Sequence, residues 1–184
     1  MKTIVTIMQS QAKNDLSQVE SEFGHLLKIV AGCTSVLEIG SLFGGSAKRI
    51  AESMPEGSRM VCVDFGYEAL KSEWKTLPAL LWRLESIQNR DVTLILGDSK
   101  SEKVIEEVRK LAPFDLVFID ASHDYQSVVT DWNNYSKMAK IVAFHDIASC
   151  AGVKQLWKEL RKVYPRQDHF IDGDAAGIGV LWLS

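Results

Sequence analysis

Four short apolar runs in this chain each stop at or just before an acid. Met60-Val61-Cys62-Val63 ends at Asp64, Val92 to Leu96 closes on Gly97-Asp98, Leu116 to Ile119 ends at Asp120, and Ile141 to Phe144 ends at His145-Asp146. A fifth run, Ser35-Val36-Leu37-Glu38-Ile39, ends instead on the loop Gly40-Ser41-Leu42-Phe43-Gly44-Gly45-Ser46. If the five runs are parallel strands of one sheet, charge and glycine gather at the carboxyl edge, where open α/β sheets bind ligands. Glycines at 40, 44 and 45 permit a tight turn and close approach of a ligand to backbone amides. Their spacing is not G-x-G-x-x-G, so a dinucleotide pyrophosphate is not indicated. Glu38, inside the strand, is placed to accept from loop amides or to reach an ammonium. Asp64, at the end of the second run, is placed to accept both ribose hydroxyls of an adenosine. Asp98 is placed to accept from the adenine amino group, a role Ser99 can share. Phe65 and Tyr67 follow Asp64 and suit contact with the adenine ring.

The elements that must position these residues follow from periodicity. Leu16, Val19, Phe23, Leu26, Leu27 and Val30 recur three and four apart, which predicts an amphipathic helix over about 15–32, closed near Gly32. Helical phasing returns after each apolar run: Ala47, Ile50, Ala51 and Met54; Leu77, Leu80, Leu81, Leu84 and Ile87, with Pro78 suited to a first turn; Val104, Ile105, Val108 and Leu111; Tyr125, Val128, Val129, Trp132 and Tyr135; Val153, Leu156, Trp157, Leu160 and Val163. Strands apolar on both faces, alternating with amphipathic helices, imply a parallel sheet covered on both sides. After the last helix, HFI, the turn-rich GDAAG and IGVLWL leave no room for a crossover, so the final two strands must form an antiparallel hairpin. The expected fold is α/β, a doubly wound, seven-stranded, mostly parallel sheet in one domain over residues 1–184, with 1–33 as an N-terminal helical cap.

With 21 basic and 24 acidic residues mixed along the chain and a net charge of -3, no basic stripe marks a nucleic-acid partner, and strong nucleic-acid binding is not expected. Cys33, Cys62 and Cys150 form no CxxC pair, which argues against a disulfide framework and a zinc site and fits a reducing, cytoplasmic setting. No window approaches the roughly 18 apolar residues of a membrane span, so no membrane partner is expected. Of the tryptophans, Trp132 and Trp157 are in phase with apolar neighbours and belong to the core. Trp82 is out of phase, and Trp74 lies in an irregular stretch that could fold over a nucleoside.

The order LEIGSLFGGS, VCVDFG, LILGDS, FDLVFIDASHDYQSV, VAFHDI resembles class I S-adenosylmethionine-dependent methyltransferases over nearly the whole chain, with GIGVLWL matching their terminal hairpin. FIDASHDY, AFHDI and GVKQLWKEL are similar to a subgroup that includes cephalosporin-hydroxylase-like proteins and macrolide sugar O-methyltransferases. The resemblance implies a Rossmann-like sheet, S-adenosylmethionine as cofactor and methyl transfer, with oxygen the favoured acceptor atom of a small molecule. A sulfonium nucleoside has no phosphates, which agrees with the loose glycine loop. Cofactor contacts then fall on Glu38, Gly40, Ser41, Gly44, Gly45, Ser46, Asp64, Phe65, Asp98, Ser99 and Asp120.

In metal-dependent members of that subgroup the aspartate ending the fourth strand binds magnesium, a histidine three residues on is general base, and an acidic pair ends the fifth strand. Asp120 and His123 match the first two roles, and His145 and Asp146 fall at the pair. Asp120, His145 and Asp146 are the metal candidates, but His145 replaces a carboxylate, and imidazole is a softer ligand than magnesium prefers. A divalent ion there would lower the pKa of a bound hydroxyl, and His123 would take its proton. The residues also admit plainer roles: His123 or Asp124 can cap the helix beginning near Tyr125, and Asp120 can touch the cofactor alone. Two rival classes stand beside the methyltransferase, a nicotinamide-dependent oxidoreductase on the same sheet and a nucleoside-cofactor-binding protein without catalysis. Neither the acceptor nor the oligomeric state is fixed by the sequence, and a homo-oligomer is left open.

Overall fold

A computed structural model describes residues 18–66 and 76–183. Seven strands form one sheet in the order β3-β2-β1-β4-β5-β7-β6. They are β1 (Ser35–Ile39), β2 (Arg59–Asp64), β3 (Asp91–Leu96), β4 (Phe114–Ile119), β5 (Ala139–His145), β6 (Gln167–Phe170) and β7 (Ile178–Trp182). Strands β1 to β5 pair in parallel, while β7 runs antiparallel between β5 and β6. This is the doubly wound sheet with a terminal hairpin that the hydrophobic pattern demands.

Six α-helices, α1 (Glu20–Val30), α2 (Gly45–Ser53), α3 (Thr76–Glu85), α4 (Glu102–Arg109), α5 (Tyr125–Tyr135) and α6 (Ala151–Leu160), and a 3-10 turn at Ser136–Met138 accompany the sheet among the described residues. Side chains alternate across a strand, and the two faces have separate cores. Val36, Met60, Cys62, Leu116 and Phe118 pack with Phe23, Leu26, Ile50, Ala51 and Leu80, beneath α1, α2 and α3. Leu37, Ile39, Val61, Val63, Val117 and Ile119 pack with Val108, Val128, Trp132 and Leu156, beneath α4, α5 and α6. The chain winds outward from β1 to β3, then crosses back to β4. Right-handed crossovers send the later helices to the opposite face.

The N-terminal helix is shorter than the periodicity predicts: it starts at Glu20, and Leu16 lies outside the described residues. Leu81, in phase with its neighbours on paper, is 42% exposed, and Val163 lies beyond the end of α6 and is 70% exposed. Trp132 and Trp157 are buried and Trp82 is open, as their phases imply. Tyr67 and Trp74 fall outside the described residues. His25 stacks on Phe170, with ring centroids 4.1 Å apart, and His169 is exposed. Among the described residues no helix is long and apolar enough to cross a membrane.

Candidate active site

Register brings the site together. Gly40 N–H donates to Val63 O, Gly97 N–H to Asp64 O, and Asp120 N–H to Ile39 O, each at 2.9 Å. The residues just past β1, β2, β3 and β4 therefore stand in one row. The pairing of Ile119 with Phe144 adds His145 and Asp146 to its end. Above the row, where strand order reverses between β1 and β4, a cleft of about 560 Å³ opens. Ser41, Asp64, Phe65, Ser99, Asp120 and His123 are among the residues that line it, with Gly40, Gly45, Ser46, Asp98, His145 and Asp146.

Gly40 is required at the base of this cleft. Its φ is +92°, and a Cβ there would stand 2.3 Å from Asp120 O, so a side chain would force β1 and β4 apart. Asp64 fixes the loop from below. Its Oδ2 accepts from the amides of Ser41 at 3.0 Å and Leu42 at 2.7 Å, and its Oδ1 accepts from Gly66 N–H at 2.8 Å. Leu42 sits at φ +47°, a left-handed conformation that costs a non-glycine residue free energy and that these bonds help hold. Arg83, buried on α3, donates to Phe43 O and anchors the same loop from the side. Gly44 is turned away from the cleft, against Leu80 and Arg83 of α3, because it is the left-handed N-cap of α2.

Glu38 also stands behind the wall rather than in it. Alternation along β1 turns it to the α1–α2 face, where it is fully buried and accepts from Ser41 Oγ at 2.6 Å. Burial pushes its carboxyl up to about 8, so the neutral form prevails near pH 7 and carries no charge for an ammonium. Its hydrogen bond to Ser41 ties it to a residue that lines the cleft. Asp98 is half-buried and accepts from Lys100 N–H at 2.9 Å. Phe65 presents an open ring to the cleft, 45% exposed.

At the other end, six polar side chains converge. His145 is buried, with Nδ1 3.0 Å from Asp146 Oδ2 and 3.3 Å from Asp120 Oδ1. His123 Nε2 lies 3.0 Å from Asp146 Oδ2. Gln18 Nε2 donates to Asp120 Oδ2 at 2.6 Å, and Ser149 Oγ donates to Asp146 Oδ1. Burial alone would pull the His145 imidazole down, but its hydrogen bonds to Asp120 and Asp146 outweigh that and hold it at about 10. Asp146, against burial, is held well below the usual carboxylate range by His123, His145 and Ser149. The hydrogen bond to Asp146 raises His123 above its ordinary value. Asp146 is itself left-handed at φ +64°, held there by the same bonds. Asp124, not His123, caps α5, accepting from Ser127 N–H at 3.0 Å.

Ligand atoms of Asp120, His145 and Asp146 lie within 4.8 Å of one another, close enough to surround an ion. The donor set nevertheless fits magnesium poorly. Magnesium asks for near-octahedral oxygen, whereas the central atom here is an imidazole nitrogen that holds a proton near pH 7. Three of the four carboxylate oxygens already have a partner in Gln18, Ser149, His123 or His145, and the fourth, Asp120 Oδ1, lies 3.3 Å from His145 Nδ1.

Several of these positioning residues carry no sequence signature, since Gln18 meets Asp120 across 102 positions of chain. One that does is Asp131, an acid in the apolar stripe of Val128, Trp132 and Tyr135. It is buried and accepts from Ser99 Oγ at 2.7 Å.

A family model described as a methyltransferase domain matches residues 37–147, from the middle of β1 to the residue after Asp146. The chain belongs to the methyltransferase-domain family. No curated protein matches it by sequence. It is similar to the O-methyltransferase from Bacillus cereus solved in complex with SAH, at 18% identity and a TM-score of 0.71, covering 98% of this chain and 89% of that one. A cofactor-bound protein from MTB is 19% identical with a TM-score of 0.68, covering 98% and 88%. The O-methyltransferase TomG from Streptomyces achromogenes, in complex with SAM, is 17% identical with a TM-score of 0.61, covering 87% and 78%. At these identities the shared property is the architecture.

Proposed function

We propose that this chain transfers a methyl group from S-adenosylmethionine to a hydroxyl of a small-molecule acceptor. The observation that carries the reading is the cleft itself. One end is a glycine turn held by Asp64, with Phe65, Asp98 and Ser99 beside it, and the other is a histidine–carboxylate pair. The first end suits a nucleoside: Asp64 keeps an acceptor position on Oδ1 for a ribose hydroxyl, Phe65 offers a ring face to the base, and Asp98 and Ser99 offer acceptors to its amino group. Gly40, Ser41, Gly45 and Ser46 bring backbone and hydroxyls close to the amino-acid portion of the cofactor. Asp120, between the two ends, borders both cofactor and acceptor.

S-adenosylmethionine supplies an electrophilic methyl on a sulfonium. This chain's residues supply the nucleophile and the alignment. When His123 Nε2–H donates to Asp146, the other ring nitrogen is left as an acceptor, able to take the proton of an acceptor hydroxyl. A protonated His145 offsets one of the two carboxylate charges of Asp120 and Asp146 from within the protein, and the hydrogen bond to Asp146 orients His123 without calling on a magnesium ion. The reading therefore includes metal independence.

The test is titration calorimetry with S-adenosylhomocysteine and, separately, NADH, followed by mass spectrometry of hydroxylated acceptors incubated with S-adenosylmethionine. Binding of S-adenosylhomocysteine but not NADH, and gain of one methyl on an acceptor, is expected. Binding of NADH alone would return the chain to the oxidoreductases. Cofactor binding without any turnover traceable to His123 would leave a binding protein.

A further inference from the structure

Asp131 is a buried titratable group that the chemistry above does not use. It lies on α5, 1% exposed, on the far side of the loop after β3 from the cleft. Two bonds from α5 hold Ser99: its Oγ meets Asp131 Oδ1 at 2.7 Å, and its backbone oxygen accepts from Tyr135 Oη at 2.6 Å. Tyr135 is fully buried, so the helix grips the loop with no slack. The second carboxylate oxygen, Oδ2, is buried without a partner among the described residues. A buried acid with half its acceptor capacity unmet is costly. Simple anchoring of the loop would be served as well by Tyr135 alone.

The geometry points to Asp131 as a positioning residue that fixes Ser99 as a hydrogen-bond acceptor in the cleft and so selects a 6-amino purine over a 6-oxo purine. This rests on the reading that the base of the cofactor lies against Asp98 and Ser99. An ionised carboxylate can only accept. The Ser99 hydrogen is then committed to Asp131, and only lone pairs remain to face the cleft. An exocyclic amino group donates to them, whereas a carbonyl oxygen meets them lone pair to lone pair. A protonated Asp131 instead donates to Ser99, frees the hydroxyl hydrogen, and lets Ser99 serve either base. Burial pushes Asp131 up to about 6, which puts this exchange within reach of ordinary buffers. The charged groups facing it are Lys100 and Asp98 from the loop after β3 and Asp124 from the head of its own helix.

The experiment compares S-adenosylhomocysteine with its 6-oxo analogue, S-inosylhomocysteine, by calorimetry at pH 5 and pH 8. Both carry the same ribose and amino-acid portions, so titration at that end of the cleft cancels in the ratio of affinities, and Asp98→Asn serves as the control for the other acid beside the base. The adenine form is expected to be favoured at pH 8, and the preference to fall about tenfold at pH 5. Asp131→Ala and Ser99→Ala should each lower the pH 8 preference about tenfold, and the double variant should lower it no further, because both act through one hydroxyl. A preference unmoved by pH, or by either substitution in a folded variant, would overturn the inference and leave Asp131 as an anchor. Should Asp131→Ala fail to fold, the pH comparison on the unaltered protein decides alone. Equal binding of both nucleosides at pH 8 would sink the selection while leaving the cofactor reading intact. Binding of neither would remove both.

Discussion

His123 Nε2 stands 3.0 Å from Asp146 Oδ2, with about half of its side chain open and Asp146 nearly closed off. A buried acid behind an accessible imidazole orients the ring and raises its proton affinity, as in other histidine–carboxylate pairs.

His123→Ala is expected to lower kcat by about 10²–10⁴-fold, the range for loss of a general base. S-adenosylhomocysteine affinity, measured by calorimetry, should hold. The raised His123 must lose its proton to act, so kcat/KM should climb with pH through a midpoint above 6.5. Asp146→Asn removes the main cause of that elevation and should move the rising limb toward acid. A limb that stays in place would assign the ionisation to another group.

Gly152 has a less visible role in the same pair. A Cβ there would fall 2.3 Å from Tyr125 N and 2.5 Å from His123 O, so the first turn of α6 packs directly on the backbone carrying His123. Gly152→Ala is expected to push that segment outward and, by analogy with ångström-scale misplacement of catalytic groups, to cost about a hundredfold in kcat. Cofactor affinity, set at the far end of the cleft, should be unaltered. An unchanged kcat in a variant of normal thermal stability would show that the segment does not need this contact.

The proposed metal independence rests on the raised proton affinity of His145 between Asp120 and Asp146. Dialysis against EDTA should leave methyl transfer unaltered, and added magnesium should not raise it. A large loss on chelation, restored by magnesium, would mean that the ion displaces the proton on His145 and rebuilds the Asp120–Asp146 cluster around itself.

Much of this was legible in the residues because parallel strands share a register. Apolar runs ending in Asp64, Asp98, Asp120 and Asp146 can only put those acids along one edge, and the G-D-A-A-G turn between two short strands forces the hairpin. What escaped were contacts made across folded distance. Gln18 on Asp120 and Arg83 on the Phe43 carbonyl each join segments with no shared period. The interior placement of Glu38 is a question of strand phase. Its neighbours Leu37 and Ile39 face α4, α5 and α6, so Glu38 must face the other helices, under the loop it was expected to serve from the cleft side. His145 was visible as a departure from an acidic pair. Its place between two carboxylates depends on the pairing of Ile119 with Phe144, which sequence spacing does not reveal.

That placement should show in stability as well as in chemistry. His145 is raised from 6.5 to about 10 in the folded protein, so folding takes up a proton that the unfolded chain releases near pH 6.5. The stabilisation is fully present below pH 6.5 and is lost as pH rises through about 10. Asp146 is lowered and works in the opposite sense: its share is present above its unfolded value and disappears only in strong acid. Differential scanning calorimetry of the unaltered protein and His145→Asn should therefore show the widest gap in Tm near pH 6. The gap should close steadily toward pH 10. A gap that is flat across that range would mean that His145 is neutral in the folded state, and that the two carboxylates are satisfied some other way.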